Sequence, residues 1–534
     1  MSEEHNSAGI TRSLWKSIVP EIEAESGLEG NVVADVCIVG AGIAGLTVAY
    51  QLVQSGKRVV VLDARRPGTG ETERTTAHLA SALDDRFTHL ESLHGLEGAR
   101  RAAESHAAAI DYIEAVVREL KLDCDFRRVD GYLCLGPLDN ASTLEAEFAA
   151  ARRAGLTVEL VEDPPVDSFH GPALKFARQA QIDPMRYLAG LAASITRLGG
   201  RIISGAQVLE VNGGDSGVDV ITEGGQTVRA QAAVVATNTP INDRYVIHTK
   251  QAPYRSYAMA FELLAGSDAP DALIWDTEEP YHYVRRALGA DGAQVLIVGG
   301  EDHKTGQDAR PDERWARLEA WTRDHFSGLG RVLSSWSGQV FEPSDGLAFI
   351  GRNPSDTDNV YIVTGDSGHG MTHGTIAGIL LPELMAGRDH PWATLYDPSR
   401  KSLRALPTFA KENLNVAAQY LQWIAPADVT DERVIPRGEG AVIRKGLSLI
   451  AVYRDHDGAC QRVSAACPHL GAVVAWNAAE KTWDCPAHGS RFSTSGEVVT
   501  GPSTCGLTSA EEDEEDTNPG ISAVPGPASG VARI

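Results

Sequence analysis

The chain has 534 residues, 43% of them hydrophobic and 22% charged, the balance of an ordinary globular protein. That composition excludes a collagen, a disordered chain and a disulfide miniprotein, and at roughly 150 residues per domain the length suggests three or four domain-sized units. Acidic residues outnumber basic ones 72 to 48, a net charge of −24, the wrong sign for a nucleic-acid footprint.

The amino-terminal stretch MSEEHNSAGITRSLW has acids where a secretory leader needs positive charge. No run of about 18 apolar residues occurs, so no membrane span is expected. Residues 1–30 read as an irregular arm. Asp35–Val39 is a short apolar run ending in glycine, the pattern of a buried parallel strand. Residues 43–55 suit a helix with Gly56 as its C-cap, and Lys57–Asp63 a second strand, together a βαβ unit. Ile110, Ile113, Val117 and Leu120 mark an amphipathic helix over 97–120. Ser142 and Glu145 have capping-box spacing. A helix over Met185–Leu198 leads to a strand Arg201–Val211, a hairpin-like stretch and the strand Ala232–Ala236. Residues 250–335 mix strands with one helix, Asp312–Phe326; Val360–Val363 is a buried strand before a glycine-rich turn and a helix to about Ala386. Residues 399–425 form a helical linker. Beyond Pro426 short β-like runs alternate with turns, a small all-β domain ending near residue 508. The tail 509–534, with its acidic run Glu511 to Asp516, lacks the apolar content to fold alone.

Two clusters of residues carry chemistry. Gly40-Ala41-Gly42-Ile43-Ala44-Gly45 matches G-x-G-x-x-G, follows a strand and opens a helix, and Asp63 ends the next strand. The glycines let the backbone approach a pyrophosphate at the positive helix end, while Asp63, followed by Ala64, can accept from ribose hydroxyls. The second cluster is Cys467-Pro-His469 followed by Cys485-Pro-Ala-His488 on the β domain. Four such ligands in paired loops suit either zinc or an iron–sulfur cluster. The seven cysteines are too few for a disulfide framework in a chain this long.

Residues 31–390 resemble the FAD-dependent D-amino-acid oxidase/glycine oxidase superfamily. The resemblance rests on Asp35–Asp63, Gly68-Thr-Gly70 with Thr75-Thr-Ala77, Ile182-Asp-Pro184, Val234-Val-Ala-Thr237, Asp345–Gly351 and Gly365-Asp-Ser-Gly-His-Gly370, in that order. It implies FAD contacts at Thr75, Thr76, Val208, Ala236 and Thr237. It also places the turn holding Asp366, Gly368, His369, Gly370 and Met371 near the flavin ring, where a helix N-terminus can stabilise an anionic reduced flavin. No second glycine motif follows a strand, so no separate NAD(P)H domain is expected. Cys467-Pro-His-Leu-Gly471, Cys485-Pro-Ala-His-Gly-Ser-Arg-Phe492 and Gly501-Pro502 resemble a Rieske domain. That resemblance implies that Cys467 and Cys485 hold one iron, and His469 and His488 the other, of a [2Fe–2S] cluster. The loop-to-loop disulfide of respiratory Rieske domains falls at Ala472 and Ala487, so both partners are absent, which fits a reducing cytoplasm. Ser490 is positioned to hydrogen-bond a cluster sulfur. Phe492 replaces a tyrosine hydroxyl, which predicts a lower potential.

Asp366, His369 and His373 spell D-x-x-H-x-x-x-H, a pattern that also suits mononuclear iron. The strand before it and the helix after it favour the flavin turn instead. Amine-oxidising relatives often clamp a carboxylate with an arginine and a tyrosine. Arg285 with Tyr283 is the candidate pair, and His369 a further catalytic candidate.

The expected architecture is an α/β, Rossmann-like FAD-binding domain with an inserted α+β substrate domain, followed by a small all-β Rieske domain. Its boundaries are an arm over 1–30, an oxidoreductase domain over 31–398 with substrate parts near 95–180 and 250–335, a linker over 399–425, the Rieske domain over 426–508, and a tail over 509–534. The expected function is oxidation of a small organic substrate, an amine or amino acid, with electrons leaving FAD through the cluster to an external acceptor. The other readings are an oxygen-using oxidase with a regulatory cluster, electron flow from cluster to flavin, and a non-catalytic redox sensor.

Overall fold

The computed structural model describes residues 9–510 apart from 20, 243–245, 309 and 358; the acidic run and the tail from residue 511 on lie outside the described residues. The glycine motif sits at the centre of a seven-stranded sheet. Its order is Glu25–Ser26, Arg201–Ser204, Val59–Leu62, Val36–Val39, Ala232–Val235, Val360–Thr364, Phe349–Arg352, parallel except at the last pair. Val36–Val39 and Val59–Leu62 are buried along their whole length, as an apolar run covered on both faces requires. The helices Ile43–Gln54, Pro184–Arg197 and Gly370–Met385 pack together on this sheet. Asp183 caps the second of them by accepting from the Met185 and Arg186 amides.

A nine-stranded sheet forms the inserted half. The strands Gln251–Leu263, Leu329–Pro343, Gln294–Lys304 and His282–Leu288 make its long antiparallel part. The carboxyl-terminal unit has a three-stranded sheet of Glu439–Lys445, Ser448–Arg454 and Cys460–Ser464. Its second sheet has four strands: Ala475–Asn477, Thr482–Asp484, Arg491–Phe492 and Val498–Thr500. The helix Leu406–Gln419 connects the two units.

Several elements differ from expectation. The stretch read as an irregular arm holds a helix, Leu14–Ile18, and an edge strand, Glu25–Ser26, in the central sheet. Trp15 is buried and donates from its indole N–H to the Thr75 carbonyl at 2.7 Å. A five-residue helix is too short to show a period, so only its docking reveals it. The strand expected over 201–211 splits into Arg201–Ser204 and Val208–Gly214, in different sheets, at Gly205 with φ +65°. The helix expected over 97–120 begins at Phe87 and is kinked at Gly95, φ +71°. The cap of the next helix is Asn140, not Ser142: the Asn140 side chain accepts from the Ser142 amide at 3.0 Å. The last described part of the carboxyl-terminal unit, which departs from a strand pattern by sequence, closes through a bridge between Val463 and Ser509. No described helix is long and apolar enough to cross a membrane.

Candidate functional site

The carboxyl ends of the central strands open into one large cavity. Its lining includes Gly40, Gly42, Ile43, Ala44, Asp63, Ala64, Thr75, Thr76, Val208, Ala236 and Thr237, and at its other end Asp366, Gly368, His369 and Gly370. Ala41 and Gly45 sit just behind this wall. The Ala41 amide donates to Asp63 Oδ2 at 2.8 Å, and a second amide, of Arg65, donates to Oδ1 at 2.9 Å. The carboxylate therefore braces the turn from below. A Cβ on Gly45 would lie 1.9 Å from the Gly40 carbonyl oxygen, and one on Gly40, where φ is +104°, 2.4 Å from the Ala236 oxygen. These glycines allow helix, turn and strand to meet. The helix Ile43–Gln54 begins at Gly42, the Ile43 amide donates to the Thr72 hydroxyl at 3.1 Å, and Gly42, Ile43, Ala44 and Thr72 bring this positive helix start to the cavity wall. Arg65 adds a signal that the sequence did not supply: its Nη1 is buried at the cavity wall without a partner among the described residues. An amide-lined helix start, a braced acid and an unpaired guanidinium nitrogen fit a bound dinucleotide such as FAD.

The opposite end of the cavity is lined by Asp84, Tyr281, Tyr283, Asp302, Glu342 and His369. The Asp84 amide donates to His369 Nε2 at 3.0 Å, and its carboxylate lies 3.5 Å from the same nitrogen. Burial opposes a charged His369, but Asp84 outweighs it and raises the imidazole above its ordinary value. His373 also lines the cavity, but both its ring nitrogens are engaged: Nδ1 meets the Asp366 carbonyl at 2.9 Å and Nε2 meets His106 at 3.2 Å. Asp366, His369 and His373 do not converge. Among the described residues only Asp276, Glu278 and His282 bring three ligand atoms within 4.8 Å. That trio braces a loop, since Asp276 also accepts from the Glu278 and His282 amides. The mononuclear-iron pattern thus does not assemble into a three-ligand site, and its glycine-rich turn instead lines the cavity.

The Arg285–Tyr283 clamp is corrected. Tyr283 lines the cavity, but Arg285 does not. Arg285 is buried one pleat along the strand, donating to the carbonyls of Thr76 at 2.6 Å and Ile182 at 2.9 Å and lying over Trp15. A fully buried guanidinium needs acceptors, and these backbone oxygens occupy it.

The cysteine–histidine quartet lies on two loops of matching geometry. The Cys467 amide donates to Ala472 O at 2.9 Å and Gly471 N–H returns to Cys467 O at 2.8 Å; Cys485 pairs with Ser490 O at 2.7 Å and Gly489 with Cys485 O at 3.1 Å. Gly471 and Gly489 close the loops with φ of +77° and +80°. The sulfurs face donors: the amides of His469 and Leu470 and the Ser490 hydroxyl reach Cys467, and the amides of Ala487 and His488 reach Cys485. Burial lowers His488 to about 4, leaving it the neutral imidazole that ligation requires. A single zinc, with bonds of about 2.0–2.3 Å, needs its ligand atoms within about 4 Å of one another. No three of these four ligand atoms meet even at 4.8 Å, so the set suits two irons. Ala472 and Ala487 are both buried at the loop contact, where no disulfide can form.

The cluster loops are seated on the cavity's own walls. His248, at 3% exposure, packs edge-on against His469 and His488 with ring centroids 4.9 and 5.9 Å away. Gln339 lines the cavity and donates from Nε2 to the Gly489 carbonyl at 2.9 Å. Gln307 donates to Pro486 O, and Tyr420 and Trp423 of the linker to Leu470 O and Gly471 O. Val498, Thr500, Gly501, Ser503 and Thr504 close the nucleotide end of the cavity. Glu480, fully buried, accepts from Arg74 at 3.1 Å, Arg255 at 3.2 Å and Thr11 Oγ1 at 2.6 Å, and from Ser337. None of these seam residues carries a local motif. Isolated polar residues in strands and short helices acquire a role only when distant segments meet.

Comparison with known proteins agrees with this geometry. Residues 35–384 match the family model for the FAD dependent oxidoreductases (DAO), and residues 425–511 match the Rieske [2Fe-2S] domain. The chain is 30% identical over 505 residues, 94% of its length and 98% of the relative's, to YhfW of Bacillus subtilis (strain 168), which is named for a Rieske 2Fe-2S centre. It is 26% identical over 374 residues, 67% of this chain and 85% of the relative, to the gamma-glutamylputrescine oxidoreductase of Escherichia coli (strain K12). Among solved structures it resembles glycine oxidase from Geobacillus kaustophilus, with a TM-score of 0.57 at 15% identity over 70% of this chain and 100% of that one.

Proposed function

We propose, from the premise that the chain belongs to the DAO family of FAD-dependent oxidoreductases and carries a Rieske [2Fe–2S] domain at its carboxyl end, that it oxidises a small amine or amino acid and passes the electrons through the cluster to an external acceptor. When bound, FAD supplies a two-electron acceptor and the cluster a one-electron relay. The names of two relatives, a gamma-glutamylputrescine oxidoreductase and a glycine oxidase, support a nitrogen-bearing substrate.

The observation that carries the electron route is the seam. The ligand histidines pack on His248 of the oxidoreductase unit, and Gln339 spans from the cavity wall to the loop carrying His488. The glycine turn and Asp63 hold the dinucleotide, Tyr283 and His369 face the substrate, and Cys467, His469, Cys485 and His488 hold the cluster. His369, its Nε2 held between the amide and the carboxylate of Asp84, is the catalytic candidate at this end of the cavity. Gln307, Gln339 and Glu480 keep the Rieske unit docked, so electrons cross a fixed junction.

The test is anaerobic mixing with amines and amino acids while flavin absorbance and the cluster's EPR signal are followed together. Substrate-dependent flavin bleaching followed by the reduced-cluster signal is expected. His248→Ala should slow the second event and leave the first unchanged. A flavin that bleaches while the cluster stays oxidised would defeat the proposed route.

A further inference from the structure

The substrate end of the cavity is rich in carboxylates and poor in cations. Asp84, Asp302, Glu342 and Asp366 line it; among the described residues the only arginines lining the cavity are Arg65 and Arg74, and no described lysine lines it. Neither arginine is available to a substrate. Arg65 donates to Val498 O at the nucleotide end, and Arg74 is held in the buried ion pair with Glu480. Arg285 is behind the wall, held by backbone carbonyls. Among the described lining residues burial keeps His78 and His373 neutral, which leaves His369 to meet a substrate carboxylate, and His369 already faces Asp84.

Asp302 and Glu342 form no ion pair with a protein cation among the described residues. Asp302 Oδ1 is buried at the cavity with no partner among the described residues. Its neighbours are Ser256 and Tyr283, whose hydroxyls lie 2.8 Å from each other. Burial pushes the Asp302 carboxyl up to about 7, the mark of an acid waiting for a counter-charge. Glu342 and Asp85 share one hydroxyl, that of Ser367, at 2.5 and 2.9 Å. Ser367 has a single hydrogen and can satisfy only one of them. Tyr281 and Tyr283, with ring centroids 5.5 Å apart, complete an aromatic wall of the kind that attracts an organic cation.

We infer that the substrate is an aliphatic diamine or polyamine without a carboxylate, its distal ammonium held by Asp302 and Glu342 against the faces of Tyr281 and Tyr283. This rests on the reading of the cavity as the substrate site of an amine-oxidising enzyme, and deepens it. A second nitrogen is required because the reacting one must be unprotonated to give up a hydride from its neighbouring carbon. An unprotonated amine cannot serve as the counter-charge.

The test is equilibrium binding to the FAD- and cluster-loaded protein, read from the perturbation of the flavin's visible spectrum under anaerobic conditions. The probes are 1,4-diaminobutane, butylamine and 5-aminopentanoate. The diamine is expected to bind at least tenfold more tightly than the amino acid, with the monoamine between them. Asp302→Asn and Glu342→Gln should each narrow the gap by weakening the diamine alone, with FAD content and unfolding midpoint as checks on folding. An amino acid that binds as tightly as the diamine, or variants that leave the ranking unchanged, would overturn the inference. If the amino acid also bleaches the flavin, the inference fails and the amine-or-amino-acid reading stands. If the diamine binds tightly but no nitrogen compound bleaches the flavin, the binding inference stands and the catalytic reading fails.

Discussion

Glu480→Ala should loosen the contact between the two units without removing a side chain that lines the cavity or a cluster ligand. Glu480 belongs to the Rieske unit and is fully buried, and its carboxylate faces Arg74 and Arg255, which are 2% and 0% exposed. The two arginines differ in what they retain. Arg74 keeps the carbonyls of Ser337 at 2.7 Å and Thr11 at 2.9 Å. Arg255 keeps only the Ser337 hydroxyl, its Nε and Nη1 already lacking partners among the described residues. The substitution therefore strands one buried guanidinium and weakens the satisfaction of a second. Breaking one side of a buried ion pair costs about 3–5 kcal/mol, roughly 100- to 4,000-fold in the docking equilibrium. Urea titrations reading flavin fluorescence and cluster circular dichroism should show the cluster unit releasing at lower urea than in the wild type. Replacing both partners with apolar residues, Arg255→Met with Glu480→Leu, should recover much of the loss, since the penalty lies in the unpaired charge. A Glu480→Ala protein within about 1 kcal/mol of wild type would refute the assignment of this pair as the lock.

Four other outcomes are expected. Burial opposes ionisation of Glu480, but Arg74, Arg255 and Arg491 prevail and hold it below its ordinary 4.5. Its contribution is therefore complete above that value and is lost as pH falls through the lower, folded one, so acid should erode docking in the wild type more steeply than in Glu480→Gln. Asp63→Ala leaves the Ala41 and Arg65 amides without their acceptor. At about 1–3 kcal/mol per buried unsatisfied group, FAD dissociation measured by fluorescence should rise by about tenfold or more. Gly489→Ala puts a Cβ at φ +80° and 2.4 Å from Gln339 Nε2, so the purified protein should contain less iron and sulfide than wild type. Cys467→Ser should abolish the Rieske EPR signal while FAD content is retained; an intact signal would contradict the ligand assignment.

The two cofactor sites were legible because each is written in a short stretch of chain. Gly40 to Gly45 and Asp63 act through backbone geometry that a strand, a turn and a helix impose locally. Cys467, His469, Cys485 and His488 occupy two loops whose hydrogen bonds close within five residues. The fate of Arg285 was not legible. Strand alternation places it on the same side as Tyr283, but only packing against Trp15 and the Thr76 carbonyl decides that it is withdrawn from the cavity. Leu14–Ile18 was hidden for the same reason, since a helix that short acquires stability from the surface it docks on.

The amino-acid sequence alone thus determined which cofactors this protein is built for, because ligand spacing and glycine turns are local properties. The tertiary structure decided how the units meet: His248, Gln339 and Glu480 come from separate segments and form one junction. It also decided the charge of the far end of the cavity, lined by Asp84, Asp302 and Glu342, while the described arginines near it, Arg65, Arg74 and Arg285, are engaged by other groups. A buried charge takes its meaning from what lies within a few ångströms in space, and the order of residues along a chain does not record that distance.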